Sequence, residues 1–144
     1  MEIPKIFESE YRFCLLLWAN EPIKSGDLVK LCRERLDWKS STTYTVIKRL
    51  SDRGVLLNRD SLVISLVRKA QAQAAQLDEL LDKTFEGSLP ALISALTKTR
   101  KPESVKDIET VQRLLDAYRS DLEIEKVHKM ICGYWENTKQ DGSV

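Results

Sequence analysis

Between Trp38 and Val55 the apolar and polar positions recur with the period of an α-helix, and the two faces they define differ in chemistry. With Thr42 at zero and about 100° per residue, Thr43, Val46, Ile47 and Leu50 fall between roughly 40° and 140°, a compact and mostly apolar stripe. Ser41, Thr42, Thr45, Lys48, Arg49, Asp52 and Arg53 fill the arc from roughly −120° to +20°. All but the aspartate donate hydrogen bonds, and Lys48, Arg49 and Arg53 are cationic. Such a face is equipped for phosphates and base edges in a major groove. The same pattern also describes an ordinary solvated helix face, so the flanking segments decide.

A shorter helix precedes it. Ser25 offers an N-cap, and Leu28, Leu31, Cys32 and Leu36 recur at helical spacing. Leu36-Asp37-Trp38-Lys39 supplies a turn, Ser40 or Ser41 can cap the next helix, and Gly54 stops it. Val55-Leu56-Leu57 and Leu62–Val67 then read as two strands joined by the polar tip Asn58–Ser61. Helix, turn, donor-faced helix and hairpin together predict an N-terminal winged helix-turn-helix over residues 1–69. The candidate DNA contacts are Ser41, Thr42, Thr45, Lys48, Arg49 and Arg53, with Lys39 and the wing residue Arg59 adding phosphate contacts. Trp38 either closes the core under the turn or offers its indole N–H to a phosphate. Tyr44 either supports the first helix or turns its hydroxyl to a phosphate.

The first helix is expected from Ser9 to Asn20, burying Tyr11, Cys14, Leu15 and Trp18, with Phe7 also in the core and Glu21-Pro22 ending it. From Lys69 the pattern changes. Ala70, Ala74, Leu77, Leu81 and Phe85 give a helix one apolar edge, broken at Gly87-Ser88. Leu89, Leu92, Ile93 and Leu96 mark a short helix with Pro90 in its first turn. A polar loop over residues 97–104 leads to a longer helix opened by Ser104, where Ile108, Val111, Leu115, Tyr118 and Leu122 alternate by three and four. Each stripe is too thin to be stable alone. A second copy of the chain is the natural cover, a monomeric helical cap being the alternative. Leu77, Leu81, Leu92, Ile108, Leu115 and Tyr118 are the expected dimerisation residues. The chain therefore reads as mainly α with a small β-hairpin wing: the winged helix, a helical dimerisation domain over residues 70–135, and a frayed tail over 136–144.

Composition fits a globular protein of 144 residues, 42% hydrophobic and 31% charged. No apolar run reaches membrane-helix length and no signal peptide opens the chain, so no membrane insertion and a cytoplasmic location are expected. The net charge of +1 hides an asymmetry, with 13 Lys and Arg against 9 Asp and Glu in residues 1–69, and 10 against 13 thereafter. A basic half joined to an acidic half suits a nucleic-acid reader attached to an assembly module. Cys14 and Cys32 fall on apolar helix faces and read as core residues. No CxxC motif is present; His128 and Cys132 share a helix face but fall short of a complete metal site, so neither metal nor cofactor is expected. The single histidine and the absence of Gly-x-Ser-x-Gly, Walker and HExxH motifs speak against an enzyme.

Three stretches carry a family resemblance: Phe7-Glu8-Ser9-Glu10-Tyr11 with Leu17-Trp18, the segment Trp38–Leu56, and Phe85-Glu86-Gly87-Ser88-Leu89-Pro90-Ala91-Leu92. Over about its first 120 residues the chain resembles the penicillinase and methicillin-resistance repressors, BlaI/MecI-like proteins grouped with CopY-type copper repressors. The resemblance implies a homodimer on a palindromic operator in duplex DNA, repressing a β-lactamase or another resistance gene. It also implies release by a membrane sensor protease within the helix after the Gly-Ser element. Alignment on Phe85-x-Gly87-Ser88 puts that bond at Ala95–Leu96, where the family's Asn-Phe pair is replaced. The tail carries only Cys132, against the paired-cysteine motif of copper-responsive members. Two other classes share the fold: a small-molecule-sensing winged-helix regulator and a winged-helix protein-interaction module.

Overall fold

Helix α1 (Glu8–Asn20) turns one face inward through Glu10, Phe13, Cys14 and Leu17, positions three and four apart. The computed structural model describes residues 2–99 and 105–141, with side chains as far as residue 132. After α1 come β1 (Ile23–Lys24), α2 (Ser25–Leu36), α3 (Ser40–Asp52), β2 (Leu56–Arg59), β3 (Leu62–Ser65), α4 (Lys69–Phe85), α5 (Leu89–Thr99) and α6 (Val105–Asp141). The fold class is the expected one, mainly helical with a small antiparallel wing.

Several local expectations are corrected. The run Phe13–Trp18 is almost continuously apolar, so spacing alone does not choose its inner face. Phe13 and Leu17 are fully buried, Leu15 is 37% exposed and Phe7 is 53% exposed. Tyr11 and Trp18 are half-buried against the core. Trp18 Nε1 donates to the Val67 carbonyl at 2.9 Å, which pins α1 to the exit of the hairpin. Ser25 and Ser40 are the first helical residues; the N-caps are Lys24 and Lys39, neither with a side-chain capping bond.

Helix α3 ends as its glycine predicts. Gly54 adopts φ +79°, its N–H reaches the Ser51 carbonyl, and Val55 N–H reaches the Leu50 carbonyl. This paired closure is a Schellman motif. It turns the chain into the hairpin, where Arg59 pairs with Leu62 across a two-residue turn, Asp60-Ser61, with both φ positive. Strand β1 pairs antiparallel with β3, Ile23 opposite Val63 and Lys24 opposite Leu62, completing a sheet of order β1-β3-β2.

The chain divides into two compact units, Met1–Leu92 and Ile93–Val144. The change in composition at Lys69 does not coincide with this division, because Val67 and Ala72 join the core made by Phe13, Leu17, Leu28, Leu50 and Val63. In the second unit α6 runs to Asp141 without interruption, so residues 136–141 are helical rather than frayed. Nothing between Val105 and Asp141 is a proline, and a solvated helix tolerates the polar composition of its end. Residues 97–99 belong to α5 rather than to a loop. Ser104 and residues 142–144 lie outside the described residues.

Candidate nucleic-acid interface

The two faces of α3 separate as its periodicity requires. Thr43, Val46, Ile47 and Leu50 are buried, each at most 3% exposed. Lys39, Ser41, Thr42, Thr45, Lys48 and Arg49 are exposed. Lys39, Lys48 and Arg49 form no ion pair with any described residue. Thr45 Oγ1 donates to the Ser41 carbonyl at 2.8 Å, which fixes its rotamer and leaves its oxygen able to accept. Tyr44, 49% exposed, borders this face.

The N-terminal end of the helix is held by two contacts. Arg33 Nη2 donates to Ser40 Oγ at 2.6 Å, tying α2 to α3. Trp38 stacks on Phe13 with ring centroids 6.1 Å apart and planes 6° from parallel. Of the two roles open to Trp38, this geometry supplies the closing of the core beneath the turn.

Arg53 is corrected. Its guanidinium, expected on DNA, is committed to Glu10: Nη1 donates to Oε2 at 2.9 Å and Nη2 to Oε1 at 2.8 Å. Nη2 also donates to the Lys5 carbonyl, and the guanidinium lies 5.4 Å from the centroid of the Phe7 ring. Glu10 is 2% exposed and accepts the Phe7 N–H at 3.0 Å as well. Burial pushes the Glu10 carboxyl upward. The Arg53 and Phe7 hydrogen bonds and the charges of Arg53 and Arg49 outweigh it, holding the group below its ordinary range. A bidentate fork on a buried carboxylate is a committed geometry. Forty-three residues separate the partners, so no local signal marks it.

The wing adds a residue that sequence reasoning missed. Lys24, Leu62 and Arg59 form one cross-strand row through β1, β3 and β2. With Leu57, Asp60, Ser61 and Ile64 they line one shallow concavity. Arg59 and Lys24 are both exposed, so two cations rather than one mark this face. The signal was out of reach locally because a two-residue strand is recognisable only through its partner.

Other candidates take ordinary places. Burial pushes the Cys14 thiol up to about 12, with the Glu10 charge adding to it, and burial also raises Cys32. Both are inert core thiols. Cys132 Sγ lies 3.6 Å from His128 Nε2 on the surface of α6. Among the described residues no three potential ligands gather into a metal site. No described helix is long and apolar enough to cross a membrane.

The expected dimerisation residues fall in both units. On α4, Ala72 packs into the core, while Leu77 and Leu81 stand roughly 140–180° around the helix from it. Leu77 is 51% exposed; Leu81 and Leu92 are half-buried. On α6, Ile108, Leu115 and Tyr118 are 53%, 43% and 56% exposed. Ala95 is half-buried and Leu96 is 52% exposed, both within α5.

Comparison with known proteins bears on these surfaces. A family model described as penicillinase repressor matches residues 6–117. A protein of Latilactobacillus sakei is 27% identical over 121 residues, covering 78% of this chain and 80% of its own. It is described as an uncharacterized 16.5 kDa protein in the ptsI 3' region. The family match spans the whole donor-faced helix and the wing, and stops within α6.

Proposed function

Because the chain belongs to the penicillinase repressor family, we propose that it is a homodimeric transcriptional repressor whose α3 reads a palindromic operator in duplex DNA. The observation that carries this reading is the outer face of α3. Five exposed donors, Lys39, Ser41, Thr42, Lys48 and Arg49, and the Thr45 hydroxyl as an acceptor stand on a helix whose other face is locked into the core. Lys39, Lys48 and Arg49 are in no ion pair with a described carboxylate, so their donors stay open to phosphates or guanine. Arg59 and Lys24 on the wing take phosphates beside the groove. Leu77, Leu81, Leu92, Ile108, Leu115 and Tyr118 pair two chains, which sets two reading helices against two half-sites.

The family's name supports a penicillinase gene, or another resistance gene, as the target. Release then comes from a membrane-bound sensor protease cutting at Ala95–Leu96, which separates the winged helix from α6. The bond lies inside a helix, so it yields to the protease only on local opening. A blot from cells induced with a β-lactam is expected to show a fragment ending near residue 95. Intact protein alone during full induction points to a bound ligand as the release signal instead.

A mobility-shift titration against the protein's own promoter tests the DNA reading. Affinity is expected to fall steeply with salt, the logarithmic slope losing about 0.9 for each phosphate contact removed. Arg49→Ala costs on the order of 1–3 kcal/mol if the side chain reads guanine, with specificity relaxed at one base pair. A uniform loss across sequences assigns it to phosphate. Equal binding by wild type and a Lys48/Arg49 double alanine variant sinks the assignment of this face.

A further inference from the structure

The Glu10–Arg53 pair adds a polar tie between the C-terminal end of the reading helix and α1, beside the packing of Leu50 in the shared core. Arg53 is the C-terminal cap of α3; Glu10 sits in the first turn of α1; the Lys5 carbonyl and the Phe7 ring belong to the segment before α1. At its other end α3 is tied by the Arg33–Ser40 bond and the Trp38–Phe13 stack. The helix thus has a polar tie at each end in addition to its buried inner face, and Arg49 and Lys48 lie four and five residues before the second tie. We infer that Arg53 is a positioning residue for operator recognition, clamped by Glu10 so that α3 presents Arg49 and Lys48 at the right pitch without itself touching DNA. This rests on the reading of α3 as the DNA-contacting helix.

Three observations carry it. The carboxylate is 2% exposed and both its oxygens are engaged by the same guanidinium, so the contact is geometric as well as electrostatic. Arg53 holds more partners than any other described cation: two carboxylate oxygens, one backbone carbonyl and one aromatic face. Glu10 also feels the charge of Arg49, one turn earlier on the exposed face. Arg49 itself is exposed and in no ion pair with a described residue. A recognition constellation works within about 0.5 Å and 10–20° of its productive geometry, so a loosened helix end is costly in binding.

The experiment measures operator affinity against salt for the full-length wild type, Arg53→Lys and the double variant Glu10→Gln/Arg53→Met. Melting curves first establish a temperature at which each is folded. The double variant replaces a buried ion pair by groups of similar size and leaves no orphaned charge, a change that folded proteins commonly accept. Positioning predicts that both variants lose affinity on the order of tenfold while the salt slope stays at the wild-type value, because no phosphate contact has been removed. Arg53→Lys keeps the charge and loses the fork, so its loss separates geometry from charge. Near-normal affinity of Arg53→Lys, with a slope lower by about 0.9 in the double variant, makes Arg53 a phosphate contact and overturns the inference. Unchanged affinity in both variants, with only a lower melting temperature, makes the pair purely structural and also overturns it. A wild type that binds no duplex overturns the reading of α3 itself, and the inference with it.

Discussion

The core leucines of the first unit and the apolar stripe of α6 in the second live in different environments. In the first, Leu17, Leu28, Leu50 and Leu56 are at most 1% exposed. In the second, Leu114, Leu115 and Leu122 are 65%, 43% and 40% exposed, alongside Ile108, Val111 and Tyr118. Both sets follow helical spacing, so periodicity does not distinguish them. The difference is that the first unit gathers four helices and a sheet around one core, whereas the apolar stripe of α6 stays exposed among the described residues. A contiguous exposed stripe of this kind marks an interaction surface. The first unit closes a core within one chain while leaving Leu77 exposed on α4; the apolar stripe of α6 is exposed throughout.

The sharpest way to break that contrast is to cut it. A chain ending after Leu92 keeps Val67 and Ala72 in the core, and it is expected to be a folded monomer. Its operator affinity is expected to fall by roughly 10²–10⁴-fold, because two half-site readers lose their linkage. Sedimentation and mobility shift measure the two effects. A stable dimer of this fragment would place the pairing in α4 and leave α6 unexplained.

A milder test compares equal changes in the two units. Leu50→Ala opens a cavity in a closed core and is expected to cost about 2–5 kcal/mol at any protein concentration. In the dimer proposed above, Leu115→Ala removes a side chain from the pairing surface, so its cost should appear as a weaker dimer with a concentration-dependent melting midpoint. A concentration-independent loss of the same size at Leu115 would mean that its own chain buries it.

The first unit also carries a pH signature. Glu10 is held below its ordinary range in the folded state, so it binds fewer protons there than in the unfolded chain. Its contribution to stability is fully present above the ordinary carboxyl value and is lost as pH falls through the lowered one. Denaturant midpoints should therefore drop on acidification below that ordinary value. Glu10→Gln should remove the Glu10 part of the drop. An unchanged acid limb in Glu10→Gln would assign the drop to other carboxylates.

What the residues disclosed, and what they withheld, follows the same division between local and distant causes. The inner face of α3, its glycine stop and the hairpin were legible because each is set by neighbours within a few positions. Thr43, Val46, Ile47 and Leu50 lie on one side at helical spacing, and Gly54 takes the positive φ that ends the helix. Lys24 was not legible, because its row with Leu62 and Arg59 exists only once β1 finds β3. The ion pair of Arg53 was not legible, because a helical wheel assigns an edge position to the exposed face and carries no knowledge of Glu10. Leu15 was misjudged because α1 is apolar on more than one side. The run of α6 to Asp141 escaped notice because its apolar stripe changes face after Leu122, which hides a continuous helix from a periodicity argument.

The smallest expected effect lies inside the closed core. Thr43 is fully buried on the inner stripe of α3, and its Oγ1 has no hydrogen-bond partner among the described residues. A buried hydroxyl without a partner carries a desolvation cost that folding does not recover. Valine has nearly the same shape and no such group, so Thr43→Val should leave packing intact and raise stability by about 1 kcal/mol. Because the residue faces inward, operator affinity and its salt slope should not change. Chemical denaturation and the mobility-shift titration read the two halves of this expectation. The competing account gives the hydroxyl a role: Cys32 is its buried neighbour, and a thiol–hydroxyl contact would be lost in the variant. Destabilisation by Thr43→Val, reversed in a Cys32→Ala background, would establish that contact and show the stripe to be polar at that point by design.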